Sequence, residues 1–355
     1  MRELAVAAGG FALRILTAHE SIVLNLLVVH EIPTINGPQD EGIGCVLPGL
    51  SLPVSLLVMP QLAAAAIQIE PLQLAPALAC GVMYAVRARR LAAHGRPVAS
   101  WRQACFYSGL GLIAATLVSP LGGLADELFW AHMAEHLLLA DLGALLFVLG
   151  LTGPVLQPLL RTAALGWLRH LAHPVPAFGL WAADLFFWHL VGPHETAVRN
   201  DVAHALQHML FVGLGINMWM ALLGPLPKPA WFGNFAKLLY IVVVRLTSTV
   251  LANVFVWSND AFFGVYERGE RTHGISPHTD QVVAGSIMMV EGSILTLCLF
   301  CWLFLRSASE GQERQELLDL AAAGGVALDE RRAARAVAAG RGGELRRRIE
   351  NDDTR

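Results

Sequence analysis

The composition of this 355-residue chain is typical of a membrane protein. Hydrophobic residues make up 55% of it and charged residues only 15%, whereas soluble domains usually carry about 25% charged residues. This excludes an ordinary soluble domain. The formal net charge of −3 says little about partners, because in a membrane protein the distribution of Lys and Arg matters more than their sum.

Motifs of several other protein classes are missing from the sequence. No P-loop, dinucleotide fingerprint or nucleophile elbow occurs, so we expect neither a nucleotide-driven pump nor a hydrolase. No nucleic-acid-binding motif is present. Cys298 and Cys301 form a C-x-x-C sequence, but they lie in an apolar run, which favours small packing residues over a redox or metal role.

The first part of the sequence is the hardest to interpret. Residues 1–48 are predicted to be a poorly defined N-terminal extension, because polar and charged residues interrupt their apolar run. Residues 49–70 contain an apolar segment, 50–66, that ends in an alanine run. This segment is either an additional membrane span or a signal-like segment, although no basic stretch precedes it.

Residues 71–306 are predicted to form an all-α, polytopic membrane helix bundle. A helix needs roughly 17–25 mainly apolar residues to cross a bilayer. Such stretches occur at 71–87, 104–121, 129–151, 174–191, 202–223, 236–257 and 281–305, which predicts about seven transmembrane helices. Residues 307–355 then form a charged tail, which we interpret as a solvated segment rather than a docking helix.

The basic residues indicate how the predicted helices are oriented. Arg and Lys are concentrated in the connections after the first, third and fifth spans, whereas the connection 120–128 has none. By the positive-inside rule, the basic connections lie in the cytoplasm. Seven spans then place the C-terminal tail in the cytoplasm as well.

Two His-x-x-x-His pairs stand at the beginning of apolar runs. The first pair is His132 and His136, and the second is His204 and His208. Histidines four residues apart lie on the same face of a helix. Both runs end in Gly-Pro, which indicates an internal two-helix repeat. The predicted orientation sets all four imidazoles side by side near the outer membrane face.

Histidine within a membrane span is costly, so the two pairs indicate a functional site. We favour metal or cofactor ligation over hydrogen bonding between helices. Imidazole suits copper, zinc, iron and nickel, and thioether favours Cu(I), so an outward-facing site with His and nearby Met leans towards copper. The positions of Met133 and Met209 weaken this argument, because each side chain points about 100° away from the adjacent histidine. Glu135 and Gln207 precede the second histidine of each pair, where they either accept hydrogen bonds from ligands or face the bundle. Further candidates on the outer side are His189, His194, His273, His278 and Asp280.

Charged residues also occur in the middle of predicted spans. A buried Arg245 requires an anionic partner, and Asp184 and Glu291 lie at similar depth in their spans. Structural pairing and an ion pathway remain equally open interpretations.

Several of these motifs, in this order, resemble the CtaG family of polytopic bacterial cytochrome c oxidase assembly proteins. The resemblance extends from about residue 72 to about residue 306. The matching stretches are Ala131–Leu138, Gly150, Gly153–Pro154, Trp188–His189, His204–His208, Gly224–Pro227 and Ser276–Gly285.

The resemblance implies a multi-pass protein of the bacterial plasma (inner) membrane that assists cytochrome c oxidase assembly by handling copper at its outer face. Its partners would be cytochrome c oxidase subunits or periplasmic copper carriers, in addition to the lipid bilayer that surrounds it. The residues implied as metal ligands are His132, His136, His204 and His208, with His189 and Asp280 as secondary matches. Family members often have an acid where this chain has Gln207, so an acid function at that position is not expected here.

Two other functions compete with this interpretation. A b-type haem protein would use histidine pairs from two helices, but haem bundles commonly hold two haems at different depths, and these four histidines lie at one depth. A metal or solute transporter is favoured mildly by the internal repeat, and Asp184, Arg245 and Glu291 would then matter more than the histidines.

Overall fold

A computed structural model describes residues 71–162, 170, 173–338 and 340–353. The predicted segments 1–48 and 49–70 therefore lie outside the described residues. Within the described ranges all regular structure is helical, with no strand, which confirms the all-α prediction. The helices are α1 Pro71–Ala93, α2 Ser100–Val118, α3 Pro120–Ala125, α4 Phe129–Gly150, α5 Gly153–Arg161, α6 Pro174–Trp188, α7 Val191–Arg199, α8 Asp201–Leu222, α9 Asn234–Trp257, α10 Glu267–His273, α11 Pro277–Ala323, α12 Glu330–Ala338 and α13 Gly342–Asp353.

The chain divides into two compact units. The first contains the described residues up to Pro229 together with Leu246–Glu291, and the second contains Ala230–Arg245 and Gly292–Arg355. The boundaries fall inside α9 and α11. The histidine pairs belong to the first unit.

The structure supports a membrane protein with fewer clear spans than the sequence predicted. Among the described residues, 4 helices are long and apolar enough to cross a bilayer, namely α4, α8, α9 and α11. The pair α6 and α7, bent by 74°, gives up to 5 if it counts as one broken span. Helix α1 occupies the first predicted span, but Arg87, Arg89 and Arg90 shorten its apolar stretch. Seven spans and the internal repeat are not confirmed.

Helix α4 is the centre of the first unit, with α2 and α8 packed against it. A π-helical segment, Leu137–Gly143, begins directly after His136, and π turns are frequent at functional sites. Gly215 of α8 packs at this segment, since a Cβ atom there would lie 2.5 Å from the carbonyl oxygen of Ala140. Such small residues let two helix backbones approach closely, which brings the two histidine pairs into contact range.

Helix α2 holds the other end of α4. The Arg102 Nη1 donates to the carbonyl oxygens of Leu149 and Leu151, each at 3.0 Å, which satisfies carbonyls that have no partner inside the helix. Tyr84 of α1 donates to the carbonyl of Gly150 at 3.1 Å. The C-terminal end of α4 is therefore fixed by side chains of two other helices.

The second unit contains a small helical core at the C-terminal end. Helix α11 continues without a break past the predicted membrane boundary and ends before Gly325, whose φ of +64° favours glycine. Helices α12 and α13 pack back on it, and Arg346 forms an ion pair of 2.6 Å with Glu316. The core consists of Leu317, Ala321, Val337, Leu345 and Ile349. The charged tail is thus helical over most of its described length.

Candidate metal site

The structure brings the two histidine pairs of α4 and α8 into one buried cluster. Within each pair the ring centroids lie 4.2 Å apart. Between the helices, His132 lies 5.4 Å from His204 and His136 lies 5.2 Å from His208. No ring is more than 7% exposed. The four imidazoles thus form a closed quadrilateral across the helix interface.

The ring nitrogens are placed for a cation. One atom each from His132, His136 and His204 forms a group in which all atoms lie within 4.8 Å of one another. Both nitrogens of His132 and His136, and Nε2 of His204, have no hydrogen-bond partner among the described residues. A buried polar atom without a partner costs about 1–3 kcal/mol, and a bound metal ion would remove this cost. The donor set therefore fits a metal.

A second group of potential ligands overlaps the first. Glu135, His204 and His208 also place one atom each within 4.8 Å of one another. Glu135 is only 2% exposed, and its Oε2 lies 3.7 Å from Nε2 of His208. The side chain of Glu135 is therefore directed into the histidine cluster, and its function as a hydrogen-bond acceptor from a ligand stays a prediction.

His189 lies beside the cluster and outside both groups. It stands at the bend between α6 and α7, where its Nδ1 donates to the carbonyl oxygen of Leu185 at 2.6 Å. Its Nε2 lies 3.2 Å from the sulfur of Met133. Met133, which follows His132, therefore contacts a histidine of another helix. A ligand function for His189 remains a prediction.

His194 is completely buried against the cluster, with its ring 4.8 Å from that of His132. Its Nε2 pairs with the hydroxyl of Tyr266 at 2.8 Å, and its Nδ1 faces the carbonyl oxygen of Trp188 at 3.3 Å. Burial, followed by the charge of Asp280, raises the pKa of Tyr266 well above 10. The hydroxyl therefore stays protonated and can donate to His194, whose two nitrogens are both engaged.

Asp280 belongs to α11, and its side chain contacts the first turn of α4, the helix that carries the first histidine pair. Its Oδ2 accepts from the backbone N–H of Phe129 and its Oδ1 from that of Trp130, both at 2.8 Å. It is completely buried and lies outside both ligand groups. Its observed contacts are those of a helix N-cap supplied by a distant residue, and its predicted ligand function stays a prediction.

Glu270 and Tyr266 are residues near this site that the sequence did not single out. Glu270 is buried and hydrogen-bonds with Asp280. Burial, together with the charge of Asp280, raises the pKa of Glu270 to about 7. No sequence signal marks either residue, because both lie in the short polar segment before α11 and meet their partners only in the folded chain. His273, in the same segment, pairs with Glu127 at 2.6 Å.

These features define the class of the protein, which is a helical membrane protein with a buried set of potential metal ligands on two adjacent helices. The family model of the cytochrome c oxidase caa3 assembly factor, Caa3_CtaG, matches residues 82–310. The chain belongs to this family of cytochrome c oxidase assembly factors, as its motifs predicted.

Similar proteins occur in mycobacteria. An uncharacterised protein of Mycobacterium bovis and one of Mycobacterium tuberculosis are each 29% identical over 173 residues, which cover 42% of this chain and 26% of the relative. An uncharacterised protein of Mycobacterium leprae is 26% identical over 209 residues, or 54% of this chain and 30% of the relative. The chain therefore matches less than a third of the length of these relatives. No solved structure matches the chain.

Proposed function

We propose that this chain assists cytochrome c oxidase assembly by binding copper as cargo at the histidine cluster and passing it on. The observation that supports the proposal is the buried quadrilateral of imidazoles, in which the nitrogens of His132 and His136 lack hydrogen-bond partners among the described residues. Imidazole nitrogens bind copper well. The chain would act as an assembly factor without turnover of its own.

The proposed setting is the bacterial plasma (inner) membrane. We propose seven spans, with α1 and α2 as the two that are short or less apolar, and a cytoplasmic C-terminus, as the basic connections indicate. Both histidine pairs lie in the first two turns of their helices, so this orientation places the cluster near the outer face. Periplasmic copper carriers would deliver the ion, and cytochrome c oxidase subunits would receive it.

The geometry favours a bare ion over a haem. Ring centroids of 4.2–5.4 Å around the cluster place every imidazole in contact with its neighbours. A porphyrin would need a slot between facing rings, and the approach of Gly215 to Ala140 holds α4 and α8 close together. An absorption spectrum of the purified protein checks this directly, because a Soret band would contradict the copper proposal.

The central test is metal content after purification from copper-supplemented cells. We expect stoichiometric copper in the wild type, and loss of most of it in a variant with His132→Ala, His136→Ala, His204→Ala and His208→Ala. His94→Ala, in an exposed connection, is the matched control and should retain copper. In a strain that lacks the gene, the four-histidine variant should fail to restore oxidase activity, whereas the control should restore it. Equal copper in both variants would contradict the proposal.

A further inference from the structure

We infer that the site is matched in charge to a monovalent cation, with Glu135 as a direct ligand beside His204 and His208. This deepens the proposed function and rests on it, since it names the charge state of the copper carried, Cu(I). The argument uses the charges of the two ligand groups and the burial of the residues that form them.

The two groups differ by one formal charge. Histidine binds metals as neutral imidazole, so the group of His132, His136 and His204 leaves the charge of the ion uncompensated. The group of Glu135, His204 and His208 contributes one carboxylate. A monovalent ion on this second group gives a neutral complex, whereas a divalent ion leaves a net positive charge.

Burial makes this difference decisive. Glu135 and His208 are 2% and 3% exposed, and an uncompensated charge in an apolar interior is costly. Two nearby acids lie outside both ligand groups. Asp280 uses both oxygens on backbone N–H groups, and Asp201, whose charge acts on His204, belongs to neither group.

The second histidine pair supports the same count. Gln207 stands before His208 as Glu135 stands before His136. It is completely buried, and its side-chain nitrogen and oxygen have no hydrogen-bond partner among the described residues. The position that could double the negative charge therefore holds a neutral amide, so the two histidine stretches together provide one carboxylate.

His204 belongs to both groups, which suggests how the ion is released. An ion held by Glu135, His204 and His208 can exchange ligands one at a time towards His132 and His136 without leaving the cluster. The ion then loses the carboxylate ligand of Glu135, and its positive charge is no longer compensated in the buried site. The group of His132, His136 and His204 therefore binds the ion more weakly than the group that contains Glu135. A carrier that passes on its ion requires such a weaker site.

The test compares ion affinities of the full chain in lipid nanodiscs. Cu(I) is titrated without oxygen against a chromophoric chelator, Ag(I) serves as a redox-inert monovalent probe, and Zn(II) as a divalent probe. The isosteric Glu135→Gln is expected to weaken the affinity for Cu(I) and Ag(I) about tenfold or more, because loss of a direct ligand should cost at least as much as loss of a partner that only supports a ligand. Gln207→Glu is expected to raise the Zn(II) affinity without raising that for Cu(I).

The outcomes separate this inference from the proposed function. Unchanged Cu(I) affinity in Glu135→Gln, with loss in the four-histidine variant, would overturn the inference and leave the copper function standing. A parallel rise for Cu(I) and Zn(II) in Gln207→Glu would also overturn it. Absence of Cu(I) binding by the wild type would instead contradict the proposed function. Should Glu135→Gln fail to give monodisperse protein, Gln207→Glu decides the question independently.

Discussion

Asp280 accepts two backbone hydrogen bonds from the first turn of a helix that begins at Phe129, 151 residues earlier in the chain. The cap thus connects the start of α11 to the start of α4, one turn before His132. Because an N-cap fixes the direction in which a helix begins, this contact positions the first histidine pair relative to the start of α11.

Replacing this cap should destabilise the protein without abolishing metal binding. Asp280→Ala leaves two buried N–H groups unsatisfied, so we expect a loss of about 1–3 kcal/mol in the free energy of unfolding. Thermal unfolding in detergent measures it, with the exposed Asp260→Ala as control. If Asp280→Ala instead lost all copper at unchanged stability, Asp280 would be a ligand rather than a cap.

The contact between Gly215 and Ala140 offers a pair of matched substitutions. Gly215→Ala places a Cβ atom 2.5 Å from a backbone oxygen, and we expect it to separate α8 from α4 at a cost of about 1–3 kcal/mol. Gly213→Ala, on the same helix, meets nothing within 4 Å and should be neutral or stabilise by up to about 1 kcal/mol. Equal melting temperatures for the two variants would show that the close approach does not matter.

His194 should behave as a positioning residue rather than as a ligand. Since both of its nitrogens are engaged, His194→Ala is expected to retain copper, whereas His132→Ala loses it. Tyr266→Phe removes the hydroxyl at 2.8 Å and should lower stability by about 1 kcal/mol. Elemental analysis and thermal unfolding of each variant distinguish a positioning residue from a metal ligand. Loss of copper from His194→Ala without loss of stability would place this histidine among the ligands.

The raised pKa of Glu270 predicts that the stability of the protein depends on pH. Its pKa is raised from 4.5 to about 7 in the folded protein, so the folded state binds more protons than the unfolded state between these values. Stability contributed by this group is therefore present below pH 4.5 and lost as the pH rises through about 7. The groups that face it are Asp280, Glu267 and Arg271.

Glu270→Gln keeps the hydrogen bond to Asp280 but cannot titrate. We expect the variant to be more stable than the wild type above pH 7 and to show a shallower decline between pH 5 and 7, the range set by the shift of Glu270. Thermal unfolding across this range measures the effect, with the exposed Glu344→Gln as the control. If the stability of the wild type and of Glu270→Gln fell in parallel as the pH rises, Glu270 would not be the group responsible for the pH dependence.

Local patterns in the sequence predicted the features that depend on local geometry. The spacing of His132 and His136 gave one helical face, and the apolar runs gave the helices that carry them. The count of spans was less accessible, because α6 and α7 bend by 74° near His189 and because the arginines of α1 shorten its apolar stretch. Hydropathy averages over such bends and cannot detect them.

Long-range partners could not be predicted in the same way. Asp280 matched a family motif, but its spacing from Phe129 gives no sign that the two meet. No sequence pattern marks Tyr266 and Glu270 as buried, because a single polar residue in a short connection is usually exposed to solvent. Their importance follows from which helices pack together, and this depends on contacts such as that of Gly215 with Ala140.

The π-helical segment Leu137–Gly143 has a consequence for how α4 tolerates change. An extra residue in a helical turn rotates everything after it by about 100° relative to an unbroken α-helix. The half before the segment can therefore orient its imidazoles towards α8, while Gly143 at the end of the segment and Gly150 in the half after it face α2. Deleting one residue between 137 and 143 would restore regular winding, so the two halves could no longer both keep their present orientation, although all four imidazoles would still be present.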